Sequence, residues 1–177
     1  LGTPESQPLP PLSWRPDGRS LLSAAPQGGR PPRLWLHPVS GPPRPLTEES
    51  PALATGGLPS PDGTRILCRG TAGDWELRPL AGGPSRPVTG LRDGEKVISW
   101  TLDGKGLVIF RPSTLPLASE RLTLATGQRT PFRTFSSRAF IGAYVNRIQL
   151  TPDGRSYALR AVLERSNLYL LDGVGGK

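Results

Sequence analysis

The sequence predicts an all-β fold built from four repeated units, each of them a small antiparallel sheet. An Asp-Gly pair follows a strand-like stretch in every unit, and its Asp lies at positions 17, 62, 103 and 153, which are 45, 41 and 50 residues apart. Two apolar stretches come after each pair, and their alternation is that of strands. Helical apolar spacing extends over ten residues nowhere in the chain. Four-stranded units at this interval are typical of the blades of a β-propeller.

The first two strands of each unit are joined by a tight turn, which reads Pro16-Asp17-Gly18 in unit one. Pro presets the backbone for a type I turn, Asp suits the next position, and Gly supplies the positive φ that closes the hairpin. Unit three has Leu102 in place of the Pro. We expect the four Asp side chains to bond to their own turns rather than to form a carboxylate ring.

Each unit is predicted to contain four strands. In unit three these are Val97–Thr101, Leu107–Arg111, Arg121–Leu124 and Gln128–Phe132. Trp14 and Trp100 hold equivalent places in the first strands of their units, so we expect both indoles to be buried between sheets.

The units are assigned to residues 10–50, 51–92, 93–140 and 141–177, after an irregular segment over residues 1–9. The fourth unit is incomplete, because its third strand, near Asn167–Leu170, is followed by no clear fourth. We therefore expect about four blades that form part of a larger ring of six to eight. An N-terminal region of the whole protein would then supply the missing strand.

The bulk composition agrees with a β fold and sets limits on the class of protein. Gly and Pro contribute 22 residues each, and many of them fall at the Asp-Gly hairpins and at the connections between the third and fourth strands. The chain contains no Met, so we expect it to be a piece of a longer protein. No run of 18 apolar residues is present, and the N-terminus has no signal-peptide pattern.

Few residues are suited to metal or catalytic chemistry. Cys68 and His37 are the single Cys and the single His, which excludes an internal disulfide and a Cys/His zinc site. Cys68 lies in an apolar run and is expected to be buried and unreactive. His37 stands at a strand end, and no Gly-x-Ser-x-Gly motif is present, so we expect no catalytic residues, metal or cofactor.

The charge of +8 raises the question of nucleic-acid binding. Of the 22 basic residues 19 are Arg, but they are scattered, with no basic run of five. Aromatic and basic residues are not interleaved as in single-strand binders. We do not expect a nucleic-acid partner.

The repeated hydrophobic-x-Pro-Asp-Gly-basic motif resembles the WD-like repeats of TolB-like propellers. The stretches Val145–Tyr157 and Asn167–Val174 are similar to the closing blade of bacterial receptor-type serine/threonine protein kinases. The resemblance implies a position near the C-terminus of such a protein and an extracytoplasmic location. No kinase motif is present in this chain.

Two irregular insertions, residues 111–120 and 133–146, break the repeat and are the best candidates for a binding site, because functional residues concentrate on loops held by a rigid scaffold. Exposed Arg and aromatic residues suit protein or peptide recognition. The candidates are Arg111, Glu120, Arg133, Arg138, Phe140 and Tyr144. A small ligand in the propeller channel is kept as an alternative.

We therefore expect a non-catalytic sensing or protein-interaction module, which belongs to the C-terminal part of a bacterial serine/threonine kinase. Two alternatives stay open. One is a TolB-like periplasmic assembly or binding protein. The other is the propeller domain of a prolyl-oligopeptidase-like hydrolase, whose catalytic domain would lie outside this chain.

Overall fold

The computed structural model describes residues 12–26, 29–138, 142–151 and 153–163. These residues form β-strands and one short 3₁₀ helix, Pro51–Thr55. The strands are β1 Leu12–Trp14, β2 Ser20–Ala25, β3 Arg33–Pro38, β4 Arg44–Pro45, β5 Gly57–Pro59, β6 Arg65–Arg69, β7 Trp75–Pro79, β8 Arg86–Pro87, β9 Lys96–Trp100, β10 Gly106–Phe110, β11 Ser113–Thr114, β12 Leu117–Thr123, β13 Arg129–Phe135, β14 Tyr144–Leu150 and β15 Tyr157–Val162.

The strands form four antiparallel sheets that follow one another along the chain. The first three sheets have the orders β1-β2-β3-β4, β5-β6-β7-β8 and β9-β10-β12-β13, and the fourth is β11-β14-β15. Consecutive strands pair with their neighbours as hairpins, which is the meander of a propeller blade. The predicted all-β fold with four propeller blades is confirmed.

Three apolar clusters hold consecutive sheets together. Leu22 and Leu34 of the first sheet pack with Ile66 and Cys68 of the second. The second sheet contacts the third through Leu67 and Leu107, and the third contacts the fourth through Phe110, Phe135 and Val145. The second and third sheets therefore have both faces covered.

The connection from the first sheet to the second is ordered by the 3₁₀ helix. The Ser50 hydroxyl accepts a hydrogen bond from the Ala52 amide at 3.3 Å and caps the helix start. Gly56 ends it with a φ of 76°, a conformation that glycine adopts without a steric penalty. Leu53 in this helix is 2% exposed and joins the first core cluster.

The insertion over residues 111–120 differs from the enlarged hairpin of unit three that the sequence predicts. Its residues Ser113 and Thr114 form β11 and pair with Val145 and Tyr144 of the fourth sheet. Leu115 follows and is 4% exposed in the cluster between the two sheets. The insertion is therefore a strap that crosses from the third sheet to the fourth.

The prediction for the two tryptophans is right for Trp100 and wrong for Trp14. Trp100 is 8% exposed, and its Nε1 donates to the Leu58 carbonyl of the second sheet at 3.0 Å. Trp14 is 61% exposed. The reason is that the second sheet covers this face of the third, whereas no described sheet covers the same face of the first.

Some predictions lie outside the described residues, namely the irregular segment over 1–9, the strand near Asn167–Leu170 and Phe140. The strands of unit three are observed, with β12 starting four residues earlier than predicted and β13 ending three residues later. The exact limits of the blades and the number of blades in the ring stay predictions.

Candidate functional site

The four Asp residues of the repeated turns bond to their own hairpins. In each turn the Asp Oδ1 accepts a backbone N–H from the residue two positions on, at 2.9 to 3.0 Å. The glycine after each Asp has a φ of 63° to 68°. Hydrogen bonds from the Ser60 hydroxyl and the Thr64 backbone lower the pKa of Asp62 from 3.8 to about 2. These carboxylates therefore stabilise their own turns.

Sequence reasoning missed a hydroxyl that closes three of these hairpins. Ser60, Thr101 and Thr151 stand two positions before the Asp, and each donates to that carboxylate at 2.5 Å. Each also accepts the backbone N–H of the residue five positions on. Unit one has Arg15 here and forms an ion pair with Asp17 at 3.1 Å. The recurrent Ser or Thr was visible in the repeat and could have been read as this ST-type contact.

Three of the candidate loop residues are engaged within the protein. Arg111 donates to the Asp93 carbonyl at 2.8 Å. Glu120 forms an ion pair with Arg129 at 2.8 Å. Arg133 lies over the Tyr157 ring at 5.8 Å. Each of these contacts orders a side chain that the sequence assigned to partner binding.

The remaining described candidates are Arg138, on the connection between β13 and β14, and Tyr144, the first residue of β14. Arg138 is exposed. Tyr144 is 46% exposed and pairs through its backbone with Thr114. Among the described candidates, no hydrogen bond or ion pair joins one to another, so they do not form one compact cluster. Their role in partner binding stays a prediction.

The first strands of the first three sheets and strand β14 of the fourth converge on one pocket, which we call the central pocket. It has a volume of about 310 Å³ and is lined by residues of β1, β5, β9 and β14. Strands β1, β5 and β9 are edges of their sheets, and β14 has a neighbour beyond β15 only at Tyr144 and Val145. A strand edge carries backbone donors and acceptors that no neighbouring strand uses. The central pocket is therefore lined with such groups, apart from the Leu58 and Asn146 carbonyls, which accept hydrogen bonds from Trp100 and Lys96.

The charged residues that line the central pocket are Lys96 and Arg147, and the described lining contains no acidic residue. Both side chains belong to exposed residues. Lys96 donates to the Asn146 carbonyl at 3.1 Å and so links the third sheet to the fourth. Asn146 and Gln149 add neutral polar groups. This surface favours an anionic or polar ligand.

A second cavity, which we call the inter-sheet cavity, lies between the third and fourth sheets. Its volume is about 420 Å³, and its wall includes Trp100, Phe132 and Leu150. Hydroxyls of Thr101 and Thr151 also line it. It lies beside the hairpin turns at Asp103 and Asp153, and no pattern in the sequence predicts it.

The single His contacts a serine. Ser23 Oγ lies 2.8 Å from His37 Nε2, on neighbouring strands of the first sheet. Neither residue lines the central pocket or the inter-sheet cavity. No carboxylate accepts a hydrogen bond from His37 among the described residues, so the pair lacks the third member that orients a catalytic imidazole.

Cys68 is buried, and burial raises the pKa of its thiol to about 11, with the Glu76 charge acting in the same direction. The thiol is therefore a poor nucleophile at neutral pH. The described part of the chain contains no group of three or more His, Cys, Asp or Glu residues that could hold a metal ion. Within the same part, no helix is long and apolar enough to cross a membrane.

Comparison with known proteins places the fold. No protein-family model matches the sequence, and no curated protein matches it. Among solved structures, TolB from Acinetobacter baumannii is similar with a TM-score of 0.60 and 20% identity, over 85% of this chain and 37% of that one. A protein assigned as TolB from Agrobacterium tumefaciens is similar with a TM-score of 0.55 and 22% identity, over 86% and 53%.

The chain has a β-propeller fold similar to that of the two TolB structures. A protein assigned as a dipeptidyl aminopeptidase IV from Bacteroides ovatus is also similar, with a TM-score of 0.54 and 14% identity, over 85% of this chain and 25% of that one. The chain therefore spans about a third to a half of the two TolB structures. At these identities the likeness concerns the fold alone.

Proposed function

We propose that this TolB-like β-propeller is a non-catalytic protein-interaction module that binds an extended acidic segment of a partner in the central pocket. The observation that carries the proposal is the lining of that pocket, where open strand edges stand beside Lys96 and Arg147 with no acidic residue among them. Strand edges bind extended peptides through backbone hydrogen bonds. The two cations then favour carboxylate side chains or a terminal carboxylate.

Fluorescence anisotropy tests this with a labelled octapeptide of alternating Glu and Val and with the same peptide carrying Lys in place of Glu. We expect saturable binding of the acidic peptide alone. The double variant Lys96→Glu/Arg147→Glu should weaken it by about a hundredfold at low salt, since two attractive charges become repulsive.

Arg86→Glu is the matched control. Arg86 is an exposed residue on β8 and does not line the central pocket, so reversing its charge should leave binding within about twofold. Equal binding of the two peptides, or equal losses in the control and the double variant, would contradict the proposal.

The finer proposal, that the module forms the C-terminal part of a bacterial serine/threonine kinase, is supported by the resemblance of the stretch Val145–Tyr157 to that family. The alternative is a TolB-like periplasmic assembly protein, which the structural neighbours favour. The sequence encoded upstream of Leu1 distinguishes these two roles. A kinase domain there supports the first, and a signal peptide followed by a small α/β domain supports the second.

The non-catalytic role is tested by assaying the chain for ATP hydrolysis and peptidase activity. The propeller likeness to a dipeptidyl aminopeptidase makes peptide cleavage the more pertinent assay. Activity that a point substitution within this chain abolishes, for example Ser23→Ala at the pair with His37, would overturn the proposal.

A further inference from the structure

Arginine side chains bridge two of the three junctions between consecutive sheets in the same way. At the first junction, Arg15 Nη2 donates to the carbonyl of Gly63, the turn glycine of the second sheet, at 2.9 Å. At the second junction, Arg65 Nη2 donates to the carbonyl of Gly104, the turn glycine of the third sheet, at 3.3 Å. Its guanidinium also lies 5.5 Å from the Trp100 ring centroid. A guanidinium between sheets is thus a recurrent element of this fold.

The two arginines come from two different positions of the repeat. Arg15 stands two residues before the turn Asp, and Arg65 stands three residues after it. In the third sheet these positions hold Thr101 and Gly106. A Cβ at Gly106 would lie 2.6 Å from the Leu122 carbonyl oxygen, so the backbone leaves no room for a side chain there. The third sheet therefore provides neither arginine.

The third junction shows the consequence. The carbonyl of Gly154, the turn glycine of the fourth sheet, accepts no hydrogen bond from the described residues. Arg133 crosses this junction but reaches the next carbonyl, that of Arg155, at 3.4 Å. The space beside Gly154 is the inter-sheet cavity, about 420 Å³ in volume.

The lining of the cavity accommodates a further cation. The carboxylates of Asp103 and Asp153 are offset by Lys105 and Arg121, so the four charges balance. No cation lies within 4.0 Å of the Asp103 carboxylate among the described residues. The Phe132 ring lines the cavity, and the guanidinium groups of Arg121 and Arg133 lie 5.3 and 5.8 Å from its centroid, so the ring is a surface that suits a planar cation.

We propose that the inter-sheet cavity binds an arginine side chain of a partner protein, whose guanidinium donates to the Gly154 carbonyl as Arg15 and Arg65 do at the other two junctions. The proposal rests on the proposed function as a protein-interaction module. It adds a second contact site, outside the central pocket, and specifies the residue type that the partner presents.

The test is an NMR titration of the full chain, labelled with ¹⁵N, with N-acetyl-arginine amide and with its neutral isostere, N-acetyl-citrulline amide. We expect the arginine probe to shift the signals of Gly154, Thr101 and Asp103, which line the cavity, with saturation. Citrulline should bind about tenfold more weakly, because charge-assisted hydrogen bonds are the stronger ones. Equal affinities, or shifts confined to the central pocket, would overturn the proposal.

Thr101→Arg supplies the chain's own guanidinium from the position that Arg15 holds in unit one. We expect it to abolish the shifts caused by the arginine probe, whereas Thr101→Val, which also removes the hydroxyl, should preserve them. If Thr101→Arg does not fold, the comparison of arginine with citrulline on the unmodified chain still decides.

The acidic octapeptide separates this inference from the proposed function. Normal binding of that peptide together with no response to arginine rejects the inference and leaves the function standing. Loss of peptide binding together with a normal response to arginine rejects the proposed peptide site and leaves the arginine site standing.

Discussion

Trp14 and Trp100 occupy equivalent positions, and the difference between them lies in what covers each indole. Trp100 packs in the cluster between the second and third sheets and donates to the Leu58 carbonyl. Trp14 is largely exposed. The sequence identifies both as strand residues that suit an interface between sheets, but a neighbour that buries them is a property of the whole assembly. The position of a residue in the repeat therefore predicts the face of the sheet that its side chain takes better than it predicts how far that side chain is buried.

Replacing Trp100 by Phe should destabilise the protein by about 2 kcal/mol, because the Leu58 carbonyl loses its donor and the smaller ring leaves a gap. Trp14→Phe should change the stability by less than about 0.5 kcal/mol, as for most exposed positions. Urea denaturation followed by tryptophan fluorescence measures both. Equal losses in the two variants would show that Trp14 is buried in solution.

At the scale of single elements, the hairpins were predictable and the strap was not. The turn residues carry their own conformational signal, so strands β1, β5, β9 and β14 could be located from the repeat. Strand β11 has two residues, Ser113 and Thr114, and pairs with a strand about thirty positions away in sequence. Neither residue has a pattern that identifies such a partner, because pairing of this kind depends on the spacing of the sheets.

Leu115→Ala should detach this strap and cost about 2 to 3 kcal/mol, since the side chain is buried between the third and fourth sheets. Hydrogen exchange provides the specific readout, because the Leu115 amide donates to the Ala143 carbonyl at 3.1 Å and should lose protection. Leu102→Ala is the matched control, since Leu102 is 69% exposed. A uniform loss of protection across all four sheets would contradict a local detachment.

At the scale of the whole molecule, the stability should depend on carboxylates that are distributed over the sheets. Hydrogen bonds from the turn hydroxyls and backbone lower the pKa values of Asp62, Asp103 and Asp153. Burial raises the pKa of Glu95, but hydrogen bonds from Arg129 and the Arg92 backbone outweigh it, so the pKa lies below its ordinary value. Groups of this kind stabilise the folded state only while they are ionised.

We therefore expect the Tm to be constant near neutral pH and to fall as the pH drops below about 4 toward 2, where these carboxylates become protonated in the folded state. Ser60→Ala should flatten part of this dependence, because the pKa of Asp62 would return toward its ordinary value. Circular dichroism melts between pH 2.5 and 7 measure the effect. A Tm that stays unchanged down to pH 2.5 would be inconsistent with it.

The repeat predicted the fold of the whole molecule but not the central pocket or the inter-sheet cavity. Residues of the central pocket come from strands of all four units, and the inter-sheet cavity is lined by residues of two successive units. Arg111, Arg133 and Tyr144 were predicted as binding residues because the insertions that carry them interrupt the repeat. Lys96 and Arg147 lie within β9 and β14, where nothing in the local sequence separates a cation that lines the central pocket from any other exposed one.

The strap has a consequence for how a chain of this type can change over evolution. Within the described residues, every strand of the first two units pairs inside its own unit, so a duplication or exchange at that boundary leaves complete sheets. A break between the third and fourth units would separate Ser113 and Thr114 from Tyr144 and Val145. We therefore expect recombination at the boundaries before the third unit to preserve the fold, and a break between the third and fourth units to disrupt it.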